Sequence, residues 1–323
     1  MSYLELKGFN SVFDSTLNND LQDNIVEFFD WALLEKGNYM NVHLGELSPD
    51  GQDYSRLKMS SNTNFPSGTA WEGFRKNWVW QSGISYNPAP IVGSNNTKPG
   101  ISGIYVNDVF YESSTSGPYA HNVDYYNGRI IFNSPIPSGS KVQAEYSYKY
   151  INVLYANSLP WLSEVQKNSL DLDSSFNILN KGKYDIPSEA RVQLPAIAIE
   201  IVPRRTFKGY QLGGGQFIET DMIFHCLAED EYTRNKLVDI ISLQNDKNIY
   251  VFNSNTLANS GAFPLDYRGF PVSGAMRYPD LIYNYYGGTI RLKNSLVQNM
   301  ELFNSNFFAG IVRITLDTIH LEI

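Results

Sequence analysis

Residues 194–253, LPAIAIEIVPRRTFKGYQLGGGQFIETDMIFHCLAEDEYTRNKLVDIISLQNDKNIYVFN, decide the reading of the fold. LPAIAIEIV is the apolar run that a buried strand requires, and FIETDMIFHCLA is a second. Gly213-Gly214-Gly215 lies between them and reads as a hairpin tip, because glycine accepts the backbone angles of a tight reversal. EYTRNKLVDIISLQ then sets Leu237, Val238, Ile240 and Ile241 on one side of a helix. Glu229, Asp230 and Glu231 stand at its start, where the helix dipole favours negative charge. IYVFN returns as a strand. Strand, glycine link, strand, helix and strand in that order predict an α+β unit with a mixed sheet. Downstream, GIVRITLDTIHLEI alternates so that Val312, Ile314, Leu316 and Ile319 face a core, and it is expected to close the sheet.

Upstream, residues 101–155 hold the clearest strand alternation. GIYVNDVFY places Asn107-Asp108 between two apolar runs, and VDYYNGRIIF places Asn127-Gly128 between two more. Both pairs predict hairpins, the second through a two-residue type I′ turn. Val142, Ala144, Tyr146, Tyr148 and Tyr150 then alternate with polar residues, so one face is packed and the other wet. Residues 45–100 are dense in Gly, Pro, Ser and Asn around Trp71, Phe74, Trp78 and Trp80, a pattern of long loops pinned by short strands. Near the start, Leu17, Leu21, Ile25, Phe28, Phe29, Ala32 and Leu33 form one face of an amphipathic helix that Gly37 stops.

The polar stretch 157–190, with Lys181-Gly182-Lys183 and Ile186-Pro187, is expected to be a linker or junction. The division read from the sequence is thus 1–156, a helix plus β-rich module; 157–190, the junction; and 191–323, an α/β module.

The 323 residues, 42% of them hydrophobic and 18% charged, suffice for folded domains with proper cores. Lys plus Arg number 25 against 33 Asp plus Glu, a net charge of −8, and neither sign forms a long run. That excludes the basic stripe on which non-specific nucleic-acid binding depends, and sequence-specific binding is not expected either. No apolar run reaches the length of a membrane span, and the N-terminus lacks a secretory layout. The expectation is a chain made and kept in a cytosol, with no membrane partner. A single cysteine, Cys226, excludes an internal disulfide and a multi-cysteine zinc cluster. Aromatic residues reach 14%, which suits either antiparallel strands or surfaces buried against a partner.

Catalytic spacings are missing. His43, His121, His225 and His320 are far apart and form no HExxH or HxH pair. His225 and Cys226 are neighbours on a strand and therefore point to opposite faces. There is no GxSxG elbow and no phosphate loop; a β-like run with Glu219 and Asp221 follows the three glycines, where a phosphate loop would open into a helix. Asp221, Glu229, Asp230 and Glu231 do not match a calcium loop. No catalytic residue, metal or cofactor is expected. Arg204-Arg205, with Lys208 and Arg191, is the one local basic concentration, and reads either as a surface meeting an acidic neighbour or as a solvated edge.

Over roughly residues 12–270, FFDWALL, NYMNVHLG, WEGFRKNWVWQSGI, GIYVNDVFY, HNVDYYNGRIIFNSPI, VQAEYSYKYINV, RVQLPAIAIEIVPRRTFKGYQLGGG and DMIFHCLAEDEYTRNKLVDIISLQNDKNIYVFN together resemble virion structural proteins of contractile-tailed bacteriophages. The second module resembles the compact α/β units of neck and tail-terminator proteins. The resemblance implies no enzyme activity, a homo-oligomeric and typically six-fold ring at the head-to-tail connection, and neighbouring neck, tail-tube or sheath proteins as partners. It also implies a place in the virion after assembly in the bacterial host cytoplasm. A ring subunit needs two different patches that meet head to tail, for which Trp78, Trp80, Tyr126, Arg204, Arg205 and Tyr210 are the interface candidates. The alternatives are a baseplate or fibre-attachment protein, or a fibre carbohydrate-binding module in which Trp71, Trp78 and Trp80 stack on sugar rings.

Overall fold

A computed structural model of the chain describes residues 17–47, 51–91, 101–113, 115–156, 193–211, 214–261, 276–304 and 307–320. It is a strand-rich mixture of α and β that separates into two units. One comprises residues 31–151 and 263–277, the other residues 1–30, 152–262 and 278–323. The expected junction at 157–190, together with Arg191 and Gly213, lies outside the described residues.

The first helix, α1 (Leu17–Leu34), buries Leu21, Ile25, Phe29 and Leu33 at the expected spacing. Gly37, at φ +82°, ends it, and the Gly37 N–H donates to Leu34 O at 2.9 Å. The unit of residues 31–151 follows. Its strands β1 (Tyr39–Val42), β2 (Lys58–Met59), β3 (Ala70–Glu72), β4 (Gly103–Val106), β5 (Val109–Glu112), β6 (His121–Asp124), β7 (Arg129–Phe132), β8 (Val142–Gln143) and β9 (Tyr146–Lys149) are short. They pair as β1-β9, β2-β3-β7-β6 and β5-β4-β8 around one core. Trp78 stacks on Tyr146 with ring centres 4.2 Å apart. The polar ends are satisfied inside: Trp78 Nε1 donates to Arg75 O at 2.8 Å, Trp71 Nε1 to Gly68 O at 3.0 Å, and Tyr146 Oη to Tyr54 O at 2.8 Å.

The β4–β5 turn is the two-residue reversal read from Asn107-Asp108, with φ +51° and +66°. The β6–β7 connection differs from its expectation. It is a four-residue loop, 125–128, closed by the pair Asp124↔Arg129, and of Asn127 and Gly128 only Gly128 has positive φ. The Asp124 carboxylate accepts from the Asn127 backbone (3.0 Å), the Asn127 side chain (2.9 Å) and Arg129 Nε (2.6 Å), which stabilises the wider loop from within. A Cβ on Gly128 would collide with the Arg75 carbonyl, so glycine is required twice over.

The other unit is one six-stranded sheet in the order β10-β11-β12-β15-β14-β13. Its strands are β10 (Asn152–Tyr155), β11 (Ala196–Gln211), β12 (Gly214–Ala228), β13 (Lys247–Phe252), β14 (Tyr286–Asn304) and β15 (Phe307–His320). Its helices are α2 (Glu231–Ser242), α3 (Ser254–Asn259) and α4 (Tyr278–Tyr285). β10 runs parallel to β11, and every other pair is antiparallel. Cross-strand rows such as Ile199–Phe224–Val312–Val297 run from β11 across the sheet to β14. The sequence reading has the tail closing the sheet; instead β15 lies between β12 and β14 and fills its middle, because it pairs along both of its sides. The four residues 152–155 and the start of α1 belong with this sheet, which the expected boundary at 156 divides otherwise. The reason is backbone pairing: β10 adds to β11, while Gln22 Nε2 donates to Ile199 O at 2.7 Å and Asn24 binds the backbone of Phe252.

Helices cover one face of this sheet. Phe29 of α1 packs edge-on against Phe224, ring centres 5.3 Å apart. A Cβ added at Gly310 would meet Val238 of α2 at 2.6 Å, so this glycine lets helix and sheet approach closely. Since alternate residues share a face, Ile197, Ile199, Met222, Phe224, Cys226, Val312, Ile314 and Leu316 all lie on the helix-covered side and are buried. Asp230 caps α2 by accepting from the Thr233 N–H at 2.8 Å, in keeping with the acidic helix start read from the sequence.

Candidate functional site

The opposite face of the sheet alternates into a lattice of paired charges. Asp221 accepts from Arg313 and from Thr315 Oγ1, the latter at 2.8 Å. Burial alone would raise the Asp221 carboxyl, but these two hydrogen bonds and the charges of Arg313 and Arg204 hold it below its ordinary value. Glu219 receives Lys208 at 2.8 Å and Lys293 at 3.3 Å, and Lys293 reaches Asp317 at 3.2 Å. Arg291 pairs with Asp246, and His225 Nε2 lies 2.9 Å from Glu200. A shallow cavity of about 500 Å³ opens beside this lattice, lined by Asn245, Asn294, Ser295, Leu296, Arg313 and Thr315. None of these pairings was read from the sequence. β14 was not recognised as one long strand, and without it the partners of Glu219 and Asp317 have no addresses.

Cys226 points away from His225 into the core, where burial pushes its thiol up to about 12 and removes the thiolate a nucleophile needs. Among the described residues, no three His, Cys, Asp or Glu side chains gather as a metal would require.

The two rims of the sheet are unlike each other. β10 covers the outer side of β11 only at Ala196–Ile199. Among the described residues, nothing pairs with that side from 200 to 211. This rim carries Arg204, exposed Phe207 and Lys208, beyond a register shift between Ile201 and Arg205 that contains Pro203. β13 covers β14 only at Tyr286–Leu292; among the described residues no strand pairs with the outer side of 293–304, where the Ser295 N–H donates to Asn245 Oδ1 at 2.9 Å and Leu296, Val297 and Met300 are exposed.

The six interface candidates from the sequence scatter. Trp78 and Trp80 are 1% and 4% exposed, core residues of the unit 31–151 and not surface ones. Trp71, at 3%, is equally inaccessible, so these three rings have no face to offer a sugar. The sequence misplaced them because a run of tryptophans looks alike whether it packs inward or outward. Tyr126 is exposed on the β6–β7 loop. Arg204 is exposed and Arg205 half-buried on the β11 rim, and Tyr210 sits in β11 with its side chain outside the description. The structure therefore groups only the arginines and the Tyr210 backbone. The exposed apolar residues of β14, Tyr250 and Tyr286 were missed; the break in alternation at Asn294-Ser295 was the available signal.

No protein-family model matches this chain, and no curated protein matches it.

Proposed function

We propose that this chain is a structural subunit of a tailed-phage virion that assembles as a ring, six-fold as the sequence resemblance implies, at the neck or as the tail terminator. The observation that carries the reading is the chemistry of the two rims. Large apolar side chains lie exposed on opposite sides of one sheet: Phe207 at 53% on the β11 side, and Leu296 at 57% with Val297 and Met300 on the β14 side. Two different patches on one subunit meet head to tail, and such contacts close into rings when the rotation permits. The balanced charges of the half-buried charge-bearing face suit a wall that passes its contents without holding them. Neighbouring neck, tail-tube or sheath proteins are the proposed partners. No helix of the described residues is long and apolar enough to cross a membrane.

The test is negative-stain electron microscopy of the purified full chain together with immunogold labelling of virions. Closed rings and label at the head–tail junction are expected. Label at the distal tip replaces the neck reading with a baseplate one, and a chain that stays monomeric at high concentration overturns the ring.

A further inference from the structure

The two open rims are staggered. Cross-strand rows show that Phe207 lies level with Ile218, Thr318 and Ile290, where β13 covers the β14 side. Val297 lies level with Val312, Phe224 and Ile199, where β10 covers the β11 side. Each rim is thus open where the other is closed. Counted along the regularly paired strands β12 and β15, the offset between the rows of Phe207 and Ile199 is six residues, or roughly 20 Å at the rise of a strand. Sheets that tile around an axis with tilted strands require such a stagger.

Strand sense and face agree as well. β11 and β14 run in opposite directions within the sheet, so a neighbour in the same orientation brings its β11 antiparallel to β14. Phe207 pairs with Ile218, and Ile218 shares the helix-covered face with Met222 and Phe224. Val297 pairs with Val312 and Met300 with Gly310, on that same face. Lys208 and Leu296 lie on the other face. From Asn294 to Met300 the β14 rim carries no charge and no proline, so of the devices that keep an edge from pairing it has only its register shifts, at Lys293/Leu296 and Val297/Asn299, and the Ser295 N–H bound to Asn245 Oδ1 at 2.9 Å. On β11, Pro203 and the register shift mark where a pairing edge would begin, leaving 205–211 in regular register with β12.

We infer that the 205–211 segment of β11 in one copy adds antiparallel to the 294–302 segment of β14 in the next, with Phe207 packing against Val297 and Met300. This rests on the ring reading above and names its contact.

The experiment uses the full chain with Lys208→Cys and Leu296→Cys together and a short bis-maleimide; Cys226 is buried and stays silent. Assembled protein is expected to give a ladder of covalent multimers ending at the ring size, and Lys208→Cys with Tyr250→Cys to give none. Phe207→Asp and Val297→Asp, each alone, are expected to weaken association at least tenfold while circular dichroism and melting temperature stay unchanged. Rings without the ladder overturn the edge pairing and leave the ring reading standing. Dimers from Lys208→Cys alone overturn the head-to-tail arrangement, and a folded parent that never assembles overturns both.

Discussion

Asn24 of α1 holds both backbone groups of Phe252 with a single side chain: its Nδ2 donates to Phe252 O at 2.9 Å, and its Oδ1 accepts from Phe252 N at 2.7 Å. The amide thus pairs with the outer edge of β13 as another strand would, and a helix caps a sheet edge. Asn24→Ala leaves two buried backbone groups unpaired, and a loss of about 2–4 kcal/mol is expected. Asn24→Asp keeps the acceptor and loses the donor, so it should fall between. Hydrogen exchange at the β13 amides checks this; unchanged protection at Phe252 would contradict it.

The buried pair Asp124–Arg129 should be asymmetric to mutation. Their side chains are 1% and 7% exposed. Asp124→Ala removes the carboxylate on which the loop and the guanidinium both converge, and is expected to cost about 3–5 kcal/mol. Asp124→Leu with Arg129→Met should cost less, because neither charge then remains buried alone. Trp71, Trp78 and Trp80 share this core, so tryptophan fluorescence during denaturation reports the result directly.

Stability should depend on pH through Asp23. Burial, reinforced by the charge of Asp20 and opposed by the Tyr155 hydroxyl, pushes its carboxyl from 3.8 up to about 6. Folded Asp23 therefore binds more protons than unfolded Asp23 between those values. Stability falls as pH rises through this window, and the deficit is complete above it. Asp23→Asn is expected to remove that slope and to gain about 1–2 kcal/mol at neutral pH. Melting temperatures of both proteins from pH 4 to 7.5 provide the comparison, and parallel curves would reject the assignment.

Cys226 should not react with a thiol reagent in the folded chain at pH 8, since it is fully buried with its thiol raised to about 12. Denaturant should release one equivalent. Fast reaction under native conditions would place the residue at a surface.

Arg204→Glu with Arg205→Glu should impair assembly more than folding. Arg204 is exposed on the β11 rim and adds positive charge near Asp221; reversing it leaves the core untouched. Light scattering and a thermal melt separate the two effects, and assembly equal to that of the parent would remove this pair from the contact.

Periodicity alone determined α1, the first half of β11, β12, α2 and β13, because each is specified by neighbours three, four or two residues away. Asn107-Asp108 likewise contains the whole of its turn. Asn127-Gly128 does not: the carboxylate of Asp124 and the nearby Arg75 carbonyl selected a longer loop, which no dipeptide preference could encode. The tryptophans could not be sorted into core or surface from the chain, since aromatic spacing is the same in either place until strands from 70 to 146 are brought together. The final strand shows the same division. Its alternation assigned Val312, Ile314 and Leu316 to a buried face, but its place in the middle of the sheet was decided by pairing with β12 and β14. Those pairings join residues far apart in sequence, and only the tertiary structure supplies them. The same long-range pairing covers β11 at one end and β14 at the other, and so creates the two open rims.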